Sequence, residues 1–344
     1  MKQKRPSIKD IAKALNVSIT TISFVLNGKG EERKISKEVI KKIEDYVEEV
    51  NYRPNQVAQS LRTGKSKILV FMVEDIGNRF FAKIARIIEE IAYQKGYKVL
   101  FCSNENNDKR SRELIRVFHE RQVDGFLIIP SAGIKKDIEN LIKSDIPVVL
   151  ADRYFEDLAT HQVVINNYEA ANKATQHLID NGFKHPAFIT IDTQQNQMLD
   201  RARGYRDAVA AAGLQSNILE LPFETIQSPE GKQRITELLT GSNEIDSVFF
   251  STNYLTQTSL EIIKDIDPKL IYDLGIVTFD DNEFFKINNP SITAVAQPLQ
   301  EMGEELMRIM FKLLKANGKE EVPLMQSVLH AELIPRDSSK KKQT

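Results

Sequence analysis

The chain has 344 residues, 41% of them hydrophobic and 28% charged, which describes a soluble globular protein of two or three compact units rather than one ordinary core. A single cysteine, Cys102, excludes a disulfide framework and a cysteine metal cluster, and no apolar run approaches the roughly 20 residues of a membrane span. The net charge of −1 hides an asymmetry: residues 1–66 carry 14 Lys and Arg against 8 Asp and Glu, net +6, leaving −7 for the remainder. A basic head on an acidic body is the pattern of a nucleic-acid-binding protein, although a solvated helix pair alone also produces one.

In chain order, the amino-terminal MKQKRPSIKDIAKAL lacks the apolar core of a secretory signal, so a cytoplasmic protein is expected. Three short helices follow. Ser7 caps the first, with Asp10 placed to reach back and Ile8, Ile11, Ala12 and Leu15 inward. Ser18 caps the second, with Ile22, Val25 and Leu26 inward, and Gly28 and Gly30 end it. Ser36 caps the third, whose inner face is Val39, Ile40, Ile43, Tyr46, Val47 and Val50. Two helices joined by a tight turn and braced by a third make a helix-turn-helix head.

From Lys67 apolar runs alternate with amphipathic helices. Strands are expected at Ile68–Val73, Lys98–Ser103, Gly125–Ile129 and Pro147–Ala151, with helices at Phe80–Lys95, Lys109–Arg121 and Ile134–Lys143. The rhythm restarts at Tyr168, with strands at Pro186–Ile191, near Ile218–Leu221, at Ser247–Ser251 and at Leu274–Phe279, separated by helices. Buried runs joined by helices imply parallel sheets, here two similar lobes in tandem. The ending DSSKKKQT reads as disordered.

The stretch SIKDIAKALNVSITTISFVLNG closely resembles the head of the lactose/galactose-repressor (LacI) family of bacterial transcriptional regulators. The match continues in NYRPNQVAQSLRTGKS, which resembles that family's hinge, and in VDGFLIIP, IPVVLADR, RARGY and IVTFDD, in family order. The resemblance implies an all-α helix-turn-helix head followed by an α/β core of two doubly wound parallel-sheet lobes of the periplasmic-binding-protein type. The expected division is a DNA-binding domain at 1–52, hinge helix and linker at 53–66, an effector and dimerisation core at 67–335, and a disordered tail at 336–344. Within the core, lobe one is expected at about 67–165 and 295–325, and lobe two at about 166–294 and 326–335.

On this reading the second helix lies in a major groove, presenting Ser18, Ile19, Thr20, Thr21 and Ser23. Small hydroxyls there allow close approach, and a helix amino terminus favours a phosphate. Ile19 and Thr20 match the family's base-reading positions, with Ile19 suited to a thymine methyl, and Asn27 matches its contacting Asn. Ser7 and Tyr52 complete the contacts of the head. In the hinge, Asn55, Gln56, Ala58, Leu61 and Arg62 are the candidates; Leu61 matches the leucine that wedges a minor-groove step, and Arg62 reads as a phosphate contact or a solvated side chain. Two departures stand out: Phe24 replaces the family's usual Arg, and GKGEERK is longer than the common loop. Arg33 and Lys34 of that loop are candidates to supply the missing phosphate contacts.

Ligands of open parallel sheets bind beyond the carboxyl ends of the strands, here between the lobes. The candidates at those ends are Asp75, Asn78, Phe80, Asp152, Arg201, Asn253, Tyr254 and Asp280. An Arg facing carboxylates and an Asn suits vicinal hydroxyls, and an aromatic ring suits a sugar face. Arg201 matches the family's effector arginine; Asp75, Asn78 and Asp152 also suit plain turns. Asn253-Tyr254 departs from the family's Asn-Asp, removing one acid and adding a ring, so no particular sugar carries over.

The five histidines show no metal spacing, and no nucleophile elbow or phosphate loop is present, so neither enzyme activity nor a cofactor or metal is expected. A transport solute-binding protein would share the lobes but needs no helix-turn-helix head. The expected protein is a homodimeric regulator, a repressor of carbohydrate-use genes, that binds a pseudo-palindromic operator and a small, carbohydrate-like effector, away from membranes. Whether the ligand releases or promotes DNA binding is not set by the sequence.

Overall fold

The computed structural model describes residues 6–53, 64–241, 245–316, 318 and 321–340. Contacts divide the chain into two compact units, Met1–Ser66 and Lys67–Thr344.

The first unit holds α1 (Ile8–Leu15), α2 (Ile19–Leu26) and α3 (Lys37–Glu49). Each begins with a serine whose hydroxyl accepts a backbone N–H in the first turn, and Ser7 with Asp10 forms a reciprocal capping box. Gly28, at φ +69, ends α2 in the left-handed region. At Gly30 a Cβ would stand 2.8 Å from Ile40 Cδ1, so a larger residue there would have to push the Ile40 side chain aside. Ile11, Leu15, Ile22, Val25 and Ile43 are buried at the centre, and Tyr52 packs against them.

The second unit opens with β1 (Ile68–Val73), α4 (Arg79–Gln94), β2 (Lys98–Ser103), α5 (Asp108–Glu120), β3 (Gly125–Ile128), α6 (Lys135–Lys143), β4 (Val148–Ala151) and β5 (His161–Ile165). It continues with α7 (Asn167–Asp180), β6 (Pro186–Ile191), α8 (Asn196–Ala211), β7 (Asn217–Leu221), α9 (Pro229–Thr240), β8 (Ser247–Phe250), α10 (Asn253–Ile266), the short α11 (Leu270–Asp273) and β9 (Gly275–Phe279). Last come α12 (Glu283–Ile287), β10 (Thr293–Ala296), α13 (Leu299–Ala316), β11 (Gln326–Leu329) and β12 (Glu332–Ile334). One sheet has the order β11-β5-β4-β3-β1-β2, all parallel; the other, β12-β10-β9-β8-β6-β7, is parallel except for β12 against β10. Strands such as β3, β4, β8 and β9 are buried along their whole length because helices cover both faces. These are the two α/β lobes that the sequence leads one to expect. One buried apolar cluster runs through both, joining Phe71, Ile88 and Leu306 of lobe one to Phe188, Tyr205 and Phe279 of lobe two.

The chain crosses between sheets three times: after β5, after β10 and between β11 and β12. Asn166, at the first crossing, ties itself to the third. Its Oδ1 accepts the Ala331 N–H at 2.8 Å, its Nδ2 meets His330 Nδ1 at 3.1 Å, and its own N–H donates to Leu329 O at 3.0 Å.

Sheet pairing moves two expected lobe borders. β10 extends lobe two to Ala296, past the border at 294, and β11 pairs with β5, so 326–329 belong to lobe one rather than lobe two. The disordered tail is also corrected over residues 336–340. Arg336 forms two hydrogen bonds to the Asp281 carboxylate, at 2.8 and 2.9 Å, and Ser338 and Ser339 are buried. Their short hydroxyls satisfy polar groups at the edge of the lobe-two sheet: Ser338 Oγ donates to Ile276 O and accepts from Thr293 N, while Ser339 Oγ meets His177 Nε2 and Thr293 Oγ1.

Candidate functional site

On the head, α2 exposes Ser18, Ile19 and Thr20 and half-buries Thr21 and Ser23, because Ile22 and Val25 turn into the core. Ile19 is 43% exposed, an apolar side chain left in water at the start of a helix. The Ser18 hydroxyl accepts from Thr21 N at 3.0 Å and pairs with Thr21 Oγ1 at 2.8 Å. Thr20 Oγ1 bonds no described residue. Ser7 has its hydroxyl and N–H committed to Asp10, and Asn27 donates to Ser23 O at 2.6 Å. Arg33 places its guanidinium 5.0 Å from the centre of the Phe24 ring, so the ring carries an arginine on its face. Lys34 stands exposed beside it at φ +56. Burial raises the Tyr52 phenol above its ordinary pKa, consistent with its packing under the head. Asn55, Gln56, Ala58, Leu61 and Arg62 lie outside the described residues.

In the second unit, strand carboxyl ends converge on a cleft between the lobes. Pseudo-equivalent positions in the two sheets carry acids: Asp152 follows β4 and Asp280 follows β9, both left-handed, at φ 64 and 70. Each donates its N–H to the neighbouring strand, Asp152 to Val163 O and Asp280 to Val295 O, both at 3.0 Å, which fixes the turn that aims the carboxylate.

Two buried arginines stand with them. Arg153 donates to Glu74, to Asp152 at 3.2 Å and to Asn106 at 2.5 Å. Burial opposes its charge, but Glu74 and Asp152 outweigh that and hold its pKa above the ordinary value. Arg201, 2% exposed, donates from Nε to Asn167 Oδ1 at 2.8 Å and from Nη1 to Ser251 O at 2.7 Å. Its guanidinium carbon lies 3.5 Å from the centre of the Phe279 ring. Burial lowers its pKa against the pull of Asp280 and Asp152. Desolvation pushes Asp280 up to about 6 despite Arg201 and despite a 2.6 Å hydrogen bond from Gln297 Nε2. Breaking one partner out of such a buried pair strands the other charge at a cost of about 3–5 kcal/mol, so these groups hold one another in place.

Beside them is a cavity of about 230 Å³ lined by Phe80, Asn253, Asp280 and Gln297, with Arg79, Lys83 and Lys286 among the residues towards its edge. Gln297 Oε1 is buried there with no partner among the described residues. Asn253 Nδ2 donates across the cleft to Asn78 Oδ1 at 3.0 Å, and Gln195 Nε2 to Asn106 Oδ1 at 3.2 Å. Tyr254 meets Phe223 edge-on at 5.7 Å, and burial raises its phenol well above the ordinary value.

Asp152, Arg201, Asn253, Tyr254, Asp280, Asn78 and Phe80 thus gather at the cleft, but Asp75 does not. It is exposed, and its Oδ1 accepts the Gly77 N–H at 2.8 Å within its own loop. The preceding residue, Glu74, is the acid that turns inward, because its place at the end of β1 continues the buried strand. Glu74, Asn106, Asn167 and Gln297 were the residues sequence reasoning missed. Only Glu74 left a signal there, as the last residue before a turn that begins with another acid. Among the described residues no cluster of His, Cys, Asp and Glu could hold a metal, and no helix is long and apolar enough to cross a membrane.

Comparison with known proteins agrees with both units. Residues 7–55 match the bacterial regulatory proteins of the lacI family, and residues 65–263 match the periplasmic binding proteins and sugar binding domain of the LacI family. The chain is 32% identical over 335 residues to the HTH-type transcriptional regulator RegA of Clostridium saccharobutylicum, covering 97% of this chain and 99% of that one. It is 30% identical over 313 residues to catabolite control protein A of Priestia megaterium, covering 90% and 92%. The lac repressor dimer, solved bound to operator and the anti-inducer ONPF, shares the fold at 18% identity, with a TM-score of 0.82 over 98% of this chain and 100% of that one. With a serine-capped helix-turn-helix head and an arginine–carboxylate cleft between two parallel-sheet lobes, the chain belongs to the LacI family of bacterial transcriptional regulators.

Proposed function

We propose that this regulator is a homodimeric repressor that binds a pseudo-palindromic operator, and that a carbohydrate or carbohydrate derivative in the cleft changes its operator affinity. The observation that carries the ligand reading is Arg201, buried over the Phe279 ring and under the electrostatic pull of Asp280, a carboxylate that lines a polar cavity. Arg201 Nη2 bonds no described residue, and in the neighbouring cavity Gln297 Oε1, without a partner among the described residues, lines the space with Asp280 and Asn253. Donors and acceptors interleaved in this way complement vicinal hydroxyls, and a site built to satisfy hydroxyls rejects ligands that lack them. The match of residues 65–263 to a sugar-binding domain supports the same class.

For DNA, Ser18, Ile19, Thr20 and Thr21 form the reading surface, with Ser23 and Asn27 behind it and Arg33 and Lys34 on phosphates. Ser7 and Tyr52 hold the head together at its edge, and Asn55, Gln56, Ala58, Leu61 and Arg62 contribute from the hinge. One head covers a single half-site, so two related by a dyad supply the affinity of specific binding. No catalytic step belongs to this reading; the cleft binds.

Selection of bound duplexes from a random library, with and without simple sugars, tests it. The expected result is a two-fold symmetric consensus bound about 10³-fold or more above random sequence, with enrichment altered by at least one sugar. Failure to enrich any sequence under any condition would refute DNA regulation. A consensus indifferent to every sugar would refute the carbohydrate effector.

A further inference from the structure

The rim of the cleft has a different electrostatic character from its interior. Inside, Arg153 and Arg201 are answered by Glu74, Asp152 and Asp280. At the rim the balance reverses. Arg79 and Lys83 project from α4 of lobe one and Lys286 from α12 of lobe two, and all three line the cavity. One carboxylate, Glu283, serves both lobe-one cations, accepting from Arg79 Nη1 at 2.7 Å and from Lys83 Nζ at 2.8 Å. Asp281 is taken up by its paired hydrogen bonds with Arg336 and stands 3.4 Å from Lys286. Four cations thus share two carboxylates in this group.

Glu283 sits at this junction in an unusual position. It belongs to lobe two, its partners belong to lobe one, and its side chain is 54% exposed. Exposed ion pairs of this kind contribute little to stability, since water and salt compete for both partners. Two cations held beside a cavity by one solvated carboxylate are therefore available to a stronger anion. The same cavity of about 230 Å³ is lined by Asp280, Asn253 and Gln297 and by the rim cations, so one small molecule can offer hydroxyls to the former and an anion to the latter.

We propose that the effector of this regulator is an acidic sugar derivative, carrying a phosphate or carboxylate that replaces Glu283 on Arg79 and Lys83, with Lys286 completing the anion site. This deepens the carbohydrate reading given above and depends on it. Glu283 acts as a built-in stand-in for the ligand's anion, keeping the cations paired while the cleft is unliganded. Its displacement exchanges a contact between the lobes for one that runs through the ligand.

Calorimetric titration of the full-length protein with matched probes tests this: glucose against glucose 6-phosphate and glucuronate, ribose against ribose 5-phosphate, and fructose against fructose 6-phosphate. The expected result is that at least one acidic member binds tenfold or more tightly than its neutral parent, and the phosphate and carboxylate arms identify which anion is used. Arg79→Ala and Lys83→Ala should each erase most of that advantage, weakening the acidic probes at least fivefold more than their neutral parents. Glu283→Gln gives the opposite sign, with acidic probes tightening severalfold and neutral ones staying level. Equal binding of neutral and acidic partners, or a Glu283→Gln variant that weakens every probe alike, would overturn the proposal. If none of these probes binds, neutral or acidic, the carbohydrate reading itself falls, and the operator selection above tells that outcome apart from a failure of DNA binding.

Discussion

Asp152 and Asp280 show how little sequence separates a turn from a site. Both are acids at strand ends in left-handed backbone, a conformation Asp tolerates in any turn. Only the surroundings differ: a buried arginine stands next to each, and Asp280 is desolvated strongly enough to titrate at about 6. Compared with its ordinary value of 3.8, the folded protein therefore holds this proton more tightly than the unfolded chain. The resulting stabilisation is fully present below the unfolded value and is lost as pH rises through about 6; a difference of that size amounts to about 3 kcal/mol at most. Urea unfolding of the wild type and Asp280→Asn should show the wild type losing about 2 kcal/mol relative to the variant between pH 4.5 and 7.5. A gap that does not change with pH would contradict a desolvated carboxyl at this position. Arg201 and Asp280 were legible because RARGY and IVTFDD are family-like motifs, Arg201 lying in the second turn of α8 and Asp280 directly after β9. Gln297 was not, since a glutamine in a crossing segment has no periodicity and no pattern to announce it. The confusion of Glu74 with Asp75 has a similar cause, because two adjacent acids at a strand end differ only in which one the last strand residue turns inward.

At the scale of the element, α2 carries two demands on one residue. Ser18 satisfies the helix's first-turn N–H groups and stands where a phosphate would approach the helix end. Removing the cap in Ser18→Ala should cost about 1 kcal/mol of head stability, read by thermal unfolding. Ser18→Asp separates the two roles, because aspartate caps as well as serine but brings a charge that repels phosphate. Its stability should stay within a few tenths of a kcal/mol of wild type while operator affinity drops at least tenfold. Parallel loss of stability and affinity in both variants would reduce Ser18 to a cap. Helices of this kind, with serine caps and clean apolar faces, were readable from sequence nearly residue by residue. The strands β11 and β12 were not, because each has only three or four residues, exposed or half-buried, and its partner lies some 40 to 160 positions away in the chain. Such strands exist through pairing, which a local pattern cannot express.

For the whole molecule, the arrangement of the cores decides how it comes apart. The head has its own cluster around Ile11, Ile22 and Ile43, whereas the two lobes, besides a cluster of their own in each, share one that runs through both. Calorimetry should therefore show a small transition for the head, of about 30–40 kcal/mol, and a single much larger one for both lobes together. Separate melting of the lobes, or one transition for the entire chain, would contradict that division.

The three crossings bear on what kind of signal the cleft can send. A single connecting strand would leave the lobes free to swivel about any axis, so that a bound molecule could be accommodated in many orientations. Three connections, two of them fastened together through Asn166, His330 and Ala331, remove most of those freedoms and favour one, the opening and closing of the angle between the lobes. Gln297 lies on the remaining connection and holds the Asp280 carboxylate, so whatever competes for that carboxylate pulls next to the pivot itself. With one coordinate to move along and a grip beside its axis, a ligand of a few ångströms is converted into a single, readable angle.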